Sequence, residues 1–443
     1  MRDNSKTRPS SRRTYLKAIG VGVTAGLAGC TGGGGGSEGG GSEGGGGGGS
    51  EGGGGSEGGG GTSTGEPQTP IEEVVIGANH PLTGSLGPAG TAMSNTGKIA
   101  AMHVNEAGGI EALDGAQLRF ISADNEGTQE LGGEVEQQLI DEGAHVLTGC
   151  YSSPVTLAAT QVAERTGIPH IIDVSVSNDI LQGRGLNYTY RIQTPASGMA
   201  GNYADFMPVL ARDNGQTMDT ASLVYLDNSF GQSIRQTLVE RLPGENVELV
   251  MESAYSFGQE SLDTEATQVK EADADAFIFV GYGAGGIRMM QSLQNVEYRP
   301  PIMSGTSTPT FTDSDVISQI GEFANGGFGN NYSWDYTNDL TDRVFADYQA
   351  EYDRQLGVTH AVMTYSVVSV VRAALEEAGS ADPDDINEAL KTVSVDDHPA
   401  AAGPIEFQEN GENANALSPM YQVQDLEPVV VWPEEYAQAD VQF

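Results

Sequence analysis

Val146-Leu147-Thr148-Gly149-Cys150-Tyr151-Ser152-Ser153-Pro154-Val155-Thr156-Leu157-Ala158-Ala159-Thr160 holds three kinds of local order in one short stretch. An apolar run ends at Gly149, a polar turn follows, and Pro154 stands where its fixed φ suits a first helical turn. The stretch reads as strand, turn, helix. The first amides of a helix lack partners within it and carry partial positive charge, so such a turn can hold a carboxylate. Ser153 also has a plainer role open to it, as the cap of its own helix.

The chain on either side repeats the same alternation. Val74-Val75-Ile76 and Leu118-Arg119-Phe120-Ile121 read as buried strands, and Met93, Gly97, Ala100 and Val104 mark one face of a helix stopped at Gly108-Gly109. Leu131, Val135, Leu139 and Ile140 mark another helix, His145 to Thr148 a strand, Val155 to Arg165 a helix and Pro169 to Ile172 a strand. Strand and helix at βαβ spacing imply a parallel sheet covered by helices, with its ligand crevice at the carboxyl ends of the strands. Beyond Tyr190-Arg191-Ile192-Gln193-Thr194-Pro195 the pattern restarts, with strands at Ala221 to Tyr225, Val247 to Val250, Ala276 to Val280 and Pro300 to Met303. Helices are expected up to Arg241, at Asp263 to Lys270, Asp342 to Gln355, Ala361 to Ala378 and Ile386 to Val393, before a strand-rich tail through Trp432. The expected fold class is α/β, with two Rossmann-like parallel-sheet lobes facing each other across a cleft.

The 443 residues carry 61 Asp and Glu against 21 Lys and Arg, a net charge of -40, and the lysines beyond residue 30 are Lys98, Lys270 and Lys391. Such a surface repels nucleic acid and anionic lipid heads, which argues against direct binding to either. It resembles the coat of halophilic proteins, whose self-repulsion is screened when molar salt shortens the Debye length to about 3 Å. Transfer from multimolar to millimolar salt is therefore expected to abolish the circular dichroism of the fold; an unchanged spectrum would sink this reading.

Residues 1–30 read as an address. Ser11-Arg12-Arg13-Thr14-Tyr15-Leu16-Lys17 matches the twin-arginine export pattern, and Ala18 to Ala28 is a weakly apolar core too short to span a bilayer. Leu27-Ala28-Gly29-Cys30 resembles a lipobox, which makes Cys30 the expected site of lipid attachment. Residues 31–70 are a Gly/Ser/Glu quasi-repeat, expected to be a disordered leash with a reach on the order of 35 Å. With Cys30 lipidated, Cys150 has no disulfide partner and reads as a small buried apolar residue.

Enzyme chemistry finds little support. Gly281-Tyr282-Gly283-Ala284-Gly285-Gly286 spells the dinucleotide-binding pattern, but the next strand ends without an acid to hold a ribose, so it reads as a cleft-lining loop. The six histidines, three of them near turns expected to be exposed, show no metal-ligand spacing, and no G-x-S-x-G elbow precedes a helix. No cofactor or metal is expected.

The order of motifs resembles a known family. Val75-Ile76-Gly77, Pro81-Leu82-Thr83-Gly84, Asn105-Glu106-Ala107-Gly108-Gly109-Ile110, Gly149 to Ser153 and Gly167-Ile168-Pro169 look like one lobe of the branched-chain amino-acid type of solute-binding protein, a type I periplasmic-binding fold. Asp227-Asn228-Ser229-Phe230-Gly231 and Phe279-Val280-Gly281-Tyr282 look like its second lobe. The resemblance implies three crossings, near residues 192, 327 and 405, so that 71–192 plus 328–404 form lobe one and 193–327 plus 405–443 form lobe two. Closure of such lobes is a hinge motion.

The same resemblance implies the site. Ser153 and Ser177, with Ser152 and Ser175 beside them, would hold a ligand carboxylate; Leu86 would belong to the first cleft loop; Phe230 and Tyr282 would supply aromatic walls. Two positions depart from the family. Ala89 stands where an aromatic is frequent, and the acid that pairs with a ligand amino group falls at Thr306, with no carboxylate until Asp313. A desolvated ammonium without a paired charge is costly, so an amide, a urea-like compound or a simple carboxylate fits as well as an amino acid. The implied partners are the permease subunits of an ABC importer, at the extracytoplasmic face of the cell membrane, with a haloarchaeal lipoprotein as the implied type. A ligand-sensing surface receptor of the same fold is the alternative, and a tethered enzyme comes third.

Overall fold

The first sheet is built on β1 (Glu73–His80), in which every residue after Glu73 is buried, as a central parallel strand covered on both faces requires. The structure, a computed structural model, describes residues 71–443; the expected signal and leash lie outside the described residues. After β1 come α1 (Gly87–Glu106), β2 (Gln117–Asp124), α2 (Gln129–Asp141), β3 (Val146–Gly149), α3 (Ser153–Thr166), β4 (His170–Ile172) and β5 (Thr189–Arg191). The strand order is β2-β1-β3-β4-β5, parallel throughout. α3 starts with Pro154 in its first turn and stops at Gly167, whose φ of 72° is the left-handed conformation of a C-terminal cap.

The second sheet follows α4 (Ala196–Asp213). It contains β6 (Thr220–Leu226), α5 (Ser229–Arg241), β7 (Glu248–Tyr255), α6 (Asp263–Ala272), β8 (Ala276–Val280), α7 (Gly283–Asn295), β9 (Ile302–Thr306), α8 (Ser314–Ile320) and β10 (Phe328–Asn330). The chain then forms α9 (Asp339–Tyr352), α10 (Ala361–Ala378) and α11 (Pro383–Leu390), and returns as β11 (Met420–Gln424) and β12 (Glu427–Trp432). Strand order is β12-β11-β10-β9-β8-β6-β7, parallel from β7 to β10 and antiparallel across β11 and β12. α9 and α10 pack on α1, and so belong with the first sheet. The two α/β layers of the expected fold class are present.

Pairing moves two of the expected crossings. Phe328–Asn330 pairs with β9 and β11, so it is a strand of the second sheet and not the start of lobe one. Ile405 bridges Val395, and Asn413 donates its amide to the Arg191 carbonyl, so the chain stays with the first sheet past residue 405 and leaves it before Met420.

The G-x-G-x-x-G stretch is also corrected. Gly281 and the N-cap Tyr282 precede α7, with Tyr282 on the cleft, whereas Gly283 to Gly286 form the first helical turn and not a loop. A Cβ at Gly281 would lie 1.9 Å from the Tyr255 hydroxyl, and one at Gly286 would lie 2.0 Å from Thr310 Oγ1. Close packing of α7 accounts for these glycines.

Five histidines, His80, His103, His170, His360 and His398, are buried, against the expectation of three near exposed turns. Three of them are drawn inward by carboxylates: His80 to Asp173, His103 to Asp347 and His170 to Glu136. Among the described residues no group of three His, Cys, Asp or Glu could hold a metal ion.

Candidate functional site

The turn after β3 is held from beneath by a buried polar network. Asn79 Nδ2 donates to Glu136 Oε2 at 2.8 Å and to the Gly132 carbonyl at 2.9 Å, while Asn125 Nδ2 donates to the Asn79 carbonyl at 3.1 Å. Glu136 Oε1 meets His170 Nδ1 at 2.5 Å, and His170 Nε2 lies 3.2 Å from the Gly149 carbonyl. Burial alone would depress the His170 pKa, but the Glu136 carboxylate, by charge and hydrogen bond, more than offsets it and the pKa is raised.

A raised folded pKa gives stability that is full below the unfolded value of about 6.5 and lost as pH rises through the folded value. The denaturation midpoint of His170→Asn is therefore expected to fall less with rising pH than that of the parent chain. Parallel midpoint curves between about pH 6 and 9 would remove His170 from the account.

Above the network the turn points its side chains at the facing lobe. Tyr151 has a φ of 72°, a left-handed conformation that a bulky side chain adopts only when its surroundings impose it. Ser152 is the N-cap of α3 but makes no capping hydrogen bond; its Oγ instead accepts from the Tyr282 hydroxyl at 3.3 Å. Ser153 does not cap the helix either, and its Oγ accepts from the Ser177 amide at 3.3 Å. The plain capping role of Ser153 is therefore not what the structure contains.

The cavity between the lobes is lined by Tyr151, Ser153, Val174, Val176, Tyr332 and His360, with Phe230, Tyr282, Ser307 and Pro309 facing them. Phe230 and Tyr282 stack with ring centroids 5.3 Å apart and planes 20° apart, and Tyr151 approaches Tyr282 at 5.5 Å. Burial, reinforced for Tyr151 by the nearby Asp313 carboxylate, pushes both phenols up, so they are neutral hydrogen-bonding groups. The cavity volume is about 20 Å³, space for a water but not for an amino acid. A solute has to enter with the lobes apart.

Ser153, Phe230 and Tyr282 thus meet at one cavity, with Ser152 bonded to Tyr282 at its edge. Other expected residues lie elsewhere. Ser175 Oγ is 2.5 Å from Thr156 Oγ1, turned onto α3. Ser177 Oγ pairs with Ser233 Oγ at 3.0 Å, a contact between lobes, and accepts from the Asp179 amide at 3.3 Å. The helix expected after Ser177 is a single 3-10 turn, Asn178–Ile180, because Gly183 and Gly185 follow in left-handed conformation. Leu86 is buried against Gly127, away from the cavity lining. Thr306 is the buried last residue of β9, and Ser307, with a φ of 52°, reaches the cavity in its place.

Tyr151, Tyr332, His360, Ser307 and Pro309 were not singled out from sequence. A non-glycine residue at a strand-to-helix turn was the available signal for Tyr151. Tyr332 sits at the second crossing and donates to the Val174 carbonyl at 2.6 Å, tying that crossing to the cleft.

Two α/β lobes closed over a small cavity of hydroxyls and aromatic rings have the architecture of a binding protein of the clamshell type. The chain belongs to the periplasmic binding protein family, whose model matches residues 73–426. The Leu/Ile/Val-binding protein homolog 8 of Brucella melitensis is 27% identical over 389 residues, covering 84% of this chain and 94% of that protein. Among solved structures, a solute-binding protein of an ABC transporter from R. palustris, in complex with benzoate, superposes with a TM-score of 0.71 at 18% identity, covering 83% of this chain and 98% of that one. The branched-chain amino acid transporter substrate-binding protein of Streptococcus pneumoniae, in complex with isoleucine, superposes with a TM-score of 0.67 at 19% identity, covering 84% and 99%. By that family the chain is a solute-binding protein rather than an enzyme.

Proposed function

We propose that this protein is the extracytoplasmic solute-binding component of an ABC importer, capturing a small polar solute by lobe closure and delivering it to a membrane permease. The observation that carries the reading is the first turn of α3. Its first residue, Ser153, lines the closed cavity opposite the Phe230 and Tyr282 rings, which sets an anion-favouring helix end against an apolar wall. The solute is an amino acid, an amide, a urea-like compound or a carboxylate. Lipid on Cys30 and the leash of residues 31–70 would keep the protein beside its permease.

A thermal-shift screen of these solute classes in high salt is the test. A ligand at a hundred times its dissociation constant stabilises by about 2.7 kcal/mol, and a screen in which no small molecule raises the melting temperature would defeat the proposal. For the ligand found, Ser153→Ala is expected to weaken binding by roughly 1 to 3 kcal/mol, the cost of an acceptor left unpaired. Equal affinity by calorimetry would remove Ser153 from the site. Ligand-dependent stimulation of the permease and its ATPase separates import from sensing.

A further inference from the structure

The wall that holds His360 has a polar group with nothing to bind. His360 lines the cavity and is 8% exposed, yet its Nδ1 is buried without a hydrogen-bond partner. The Asp313 Oδ2 atom lies 3.8 Å from it, beyond hydrogen-bond reach. The ring is wedged against Tyr151, with centroids 5.2 Å apart, and Tyr332, at 5.4 Å, so it cannot turn away freely. Asp313 itself is fixed: its Oδ1 accepts from the Thr359 amide at 3.0 Å and the Thr359 hydroxyl at 2.5 Å. Thr359 and His360 lead into α10 on the lobe-one side, whereas Asp313 precedes α8, which packs on α7 and β12. The carboxylate therefore reaches across between lobes, and the imidazole stands at the cavity while Asp313 does not line it.

We propose that His360 is a ligand-contacting, specificity-determining residue of the cleft, and that the site takes a ring-bearing carboxylate without an ammonium group in preference to a zwitterionic amino acid. This rests on the solute-binding reading above. Among the described residues lining the cavity none is acidic. Imidazole carries no negative charge in either protonation state, so an ammonium placed here would be desolvated without an anionic partner. A solute acceptor or hydroxyl would instead complete the imidazole's hydrogen bonding, while a flat ring that enters with the lobes apart would take the place of the present contact between Tyr151 and Tyr282.

The experiment is calorimetric titration of the full chain in high salt with benzoate and with L-leucine, on the parent chain, His360→Ala and His360→Gln, each checked for its circular dichroism. Benzoate is expected to bind the parent about a hundredfold more tightly than leucine. His360→Ala should weaken benzoate about tenfold or more, and His360→Gln, which keeps a donor and an acceptor, should recover part of that loss. Leucine binding as tightly as benzoate, binding confined to solutes without a ring, or His360 variants that hold benzoate like the parent each overturn the inference while leaving solute binding intact. If His360→Ala fails to fold, the benzoate-to-leucine ratio of the parent and the His360→Gln titration decide it. Failure of every solute class to bind the parent chain takes the solute-binding reading down as well.

Discussion

Arg191→Met is expected to lower stability by about 3 to 5 kcal/mol. Arg191 is fully buried on β5, and its guanidinium grips Glu412 with two bonds, Nε to Oε2 at 2.9 Å and Nη2 to Oε1 at 2.7 Å. Its Nη1 donates to the Ser175 carbonyl at 3.0 Å and the Ser177 carbonyl at 2.9 Å. Deleting the guanidinium leaves a carboxylate unpaired in a site shielded from water and two carbonyls without their donor. The site effect follows from the same bonds, because Ser175 and Ser177 flank Val176, which lines the cavity.

The expected result is a lower denaturation midpoint together with weaker ligand binding in whatever variant remains folded. Molar salt screens exposed pairs and barely touches one this deep, so the loss should persist at high salt. Arg191→Met combined with Glu412→Met should be more stable than Arg191→Met alone, since the stranded charge is gone. A loss below about 1 kcal/mol in the single variant would show that the pair is worth no more than an exposed ion pair.

The alternation of apolar strand and amphipathic helix was legible because each such element is long enough to show its period, as β1, α1, α3 and α10 do. The three-residue β10 is too short for alternation, and its flanking glycines made Phe328–Asn330 look like a crossing. Gly283 to Gly286 look like a loop in sequence because glycine is a poor helix former; the close approach of Tyr255 and Thr310 to Gly285 and Gly286 overrides that preference.

The candidate site was legible in part for a related reason. Ser153, Phe230 and Tyr282 lie at strand-to-helix turns, which topology brings to the cleft whatever the details. Ser175 was lost to a hydroxyl neighbour, Thr156, that only the packing of α3 supplies. Ser307 takes the place of Thr306 because β9 ends at Thr306 and the left-handed φ of 52° at Ser307 turns the chain there, a turn that no residue type announces. His360 and Asp313 meet through helices packed on opposite lobes, and no local pattern records that meeting.

Gly149→Ala tests the turn on which the cleft is built, and a loss of roughly 2 to 5 kcal/mol is expected, from backbone strain plus overpacking. Gly149 has a φ of 125°, a conformation closed to most L side chains. An added Cβ would also lie 2.3 Å from the Asn79 carbonyl oxygen, a backbone atom paired in register with Gly149 between β1 and β3. That oxygen is the acceptor for Asn125 Nδ2, and Asn79 holds Glu136, which holds His170. Relief of the clash must push on the buried network, and the network carries the Tyr151 to Ser153 turn.

Gly143→Ala separates strain from contact: its φ is 91°, but a Cβ there meets nothing within 4 Å. That variant should lose about 1 kcal/mol and keep its ligand. Equal midpoints for the two variants in the same salt would mean that the approach of Asn79 decides nothing. A Gly149→Ala chain that loses more and binds its ligand less tightly would make this close approach, rather than the serine hydroxyls alone, the condition for having a cleft at all.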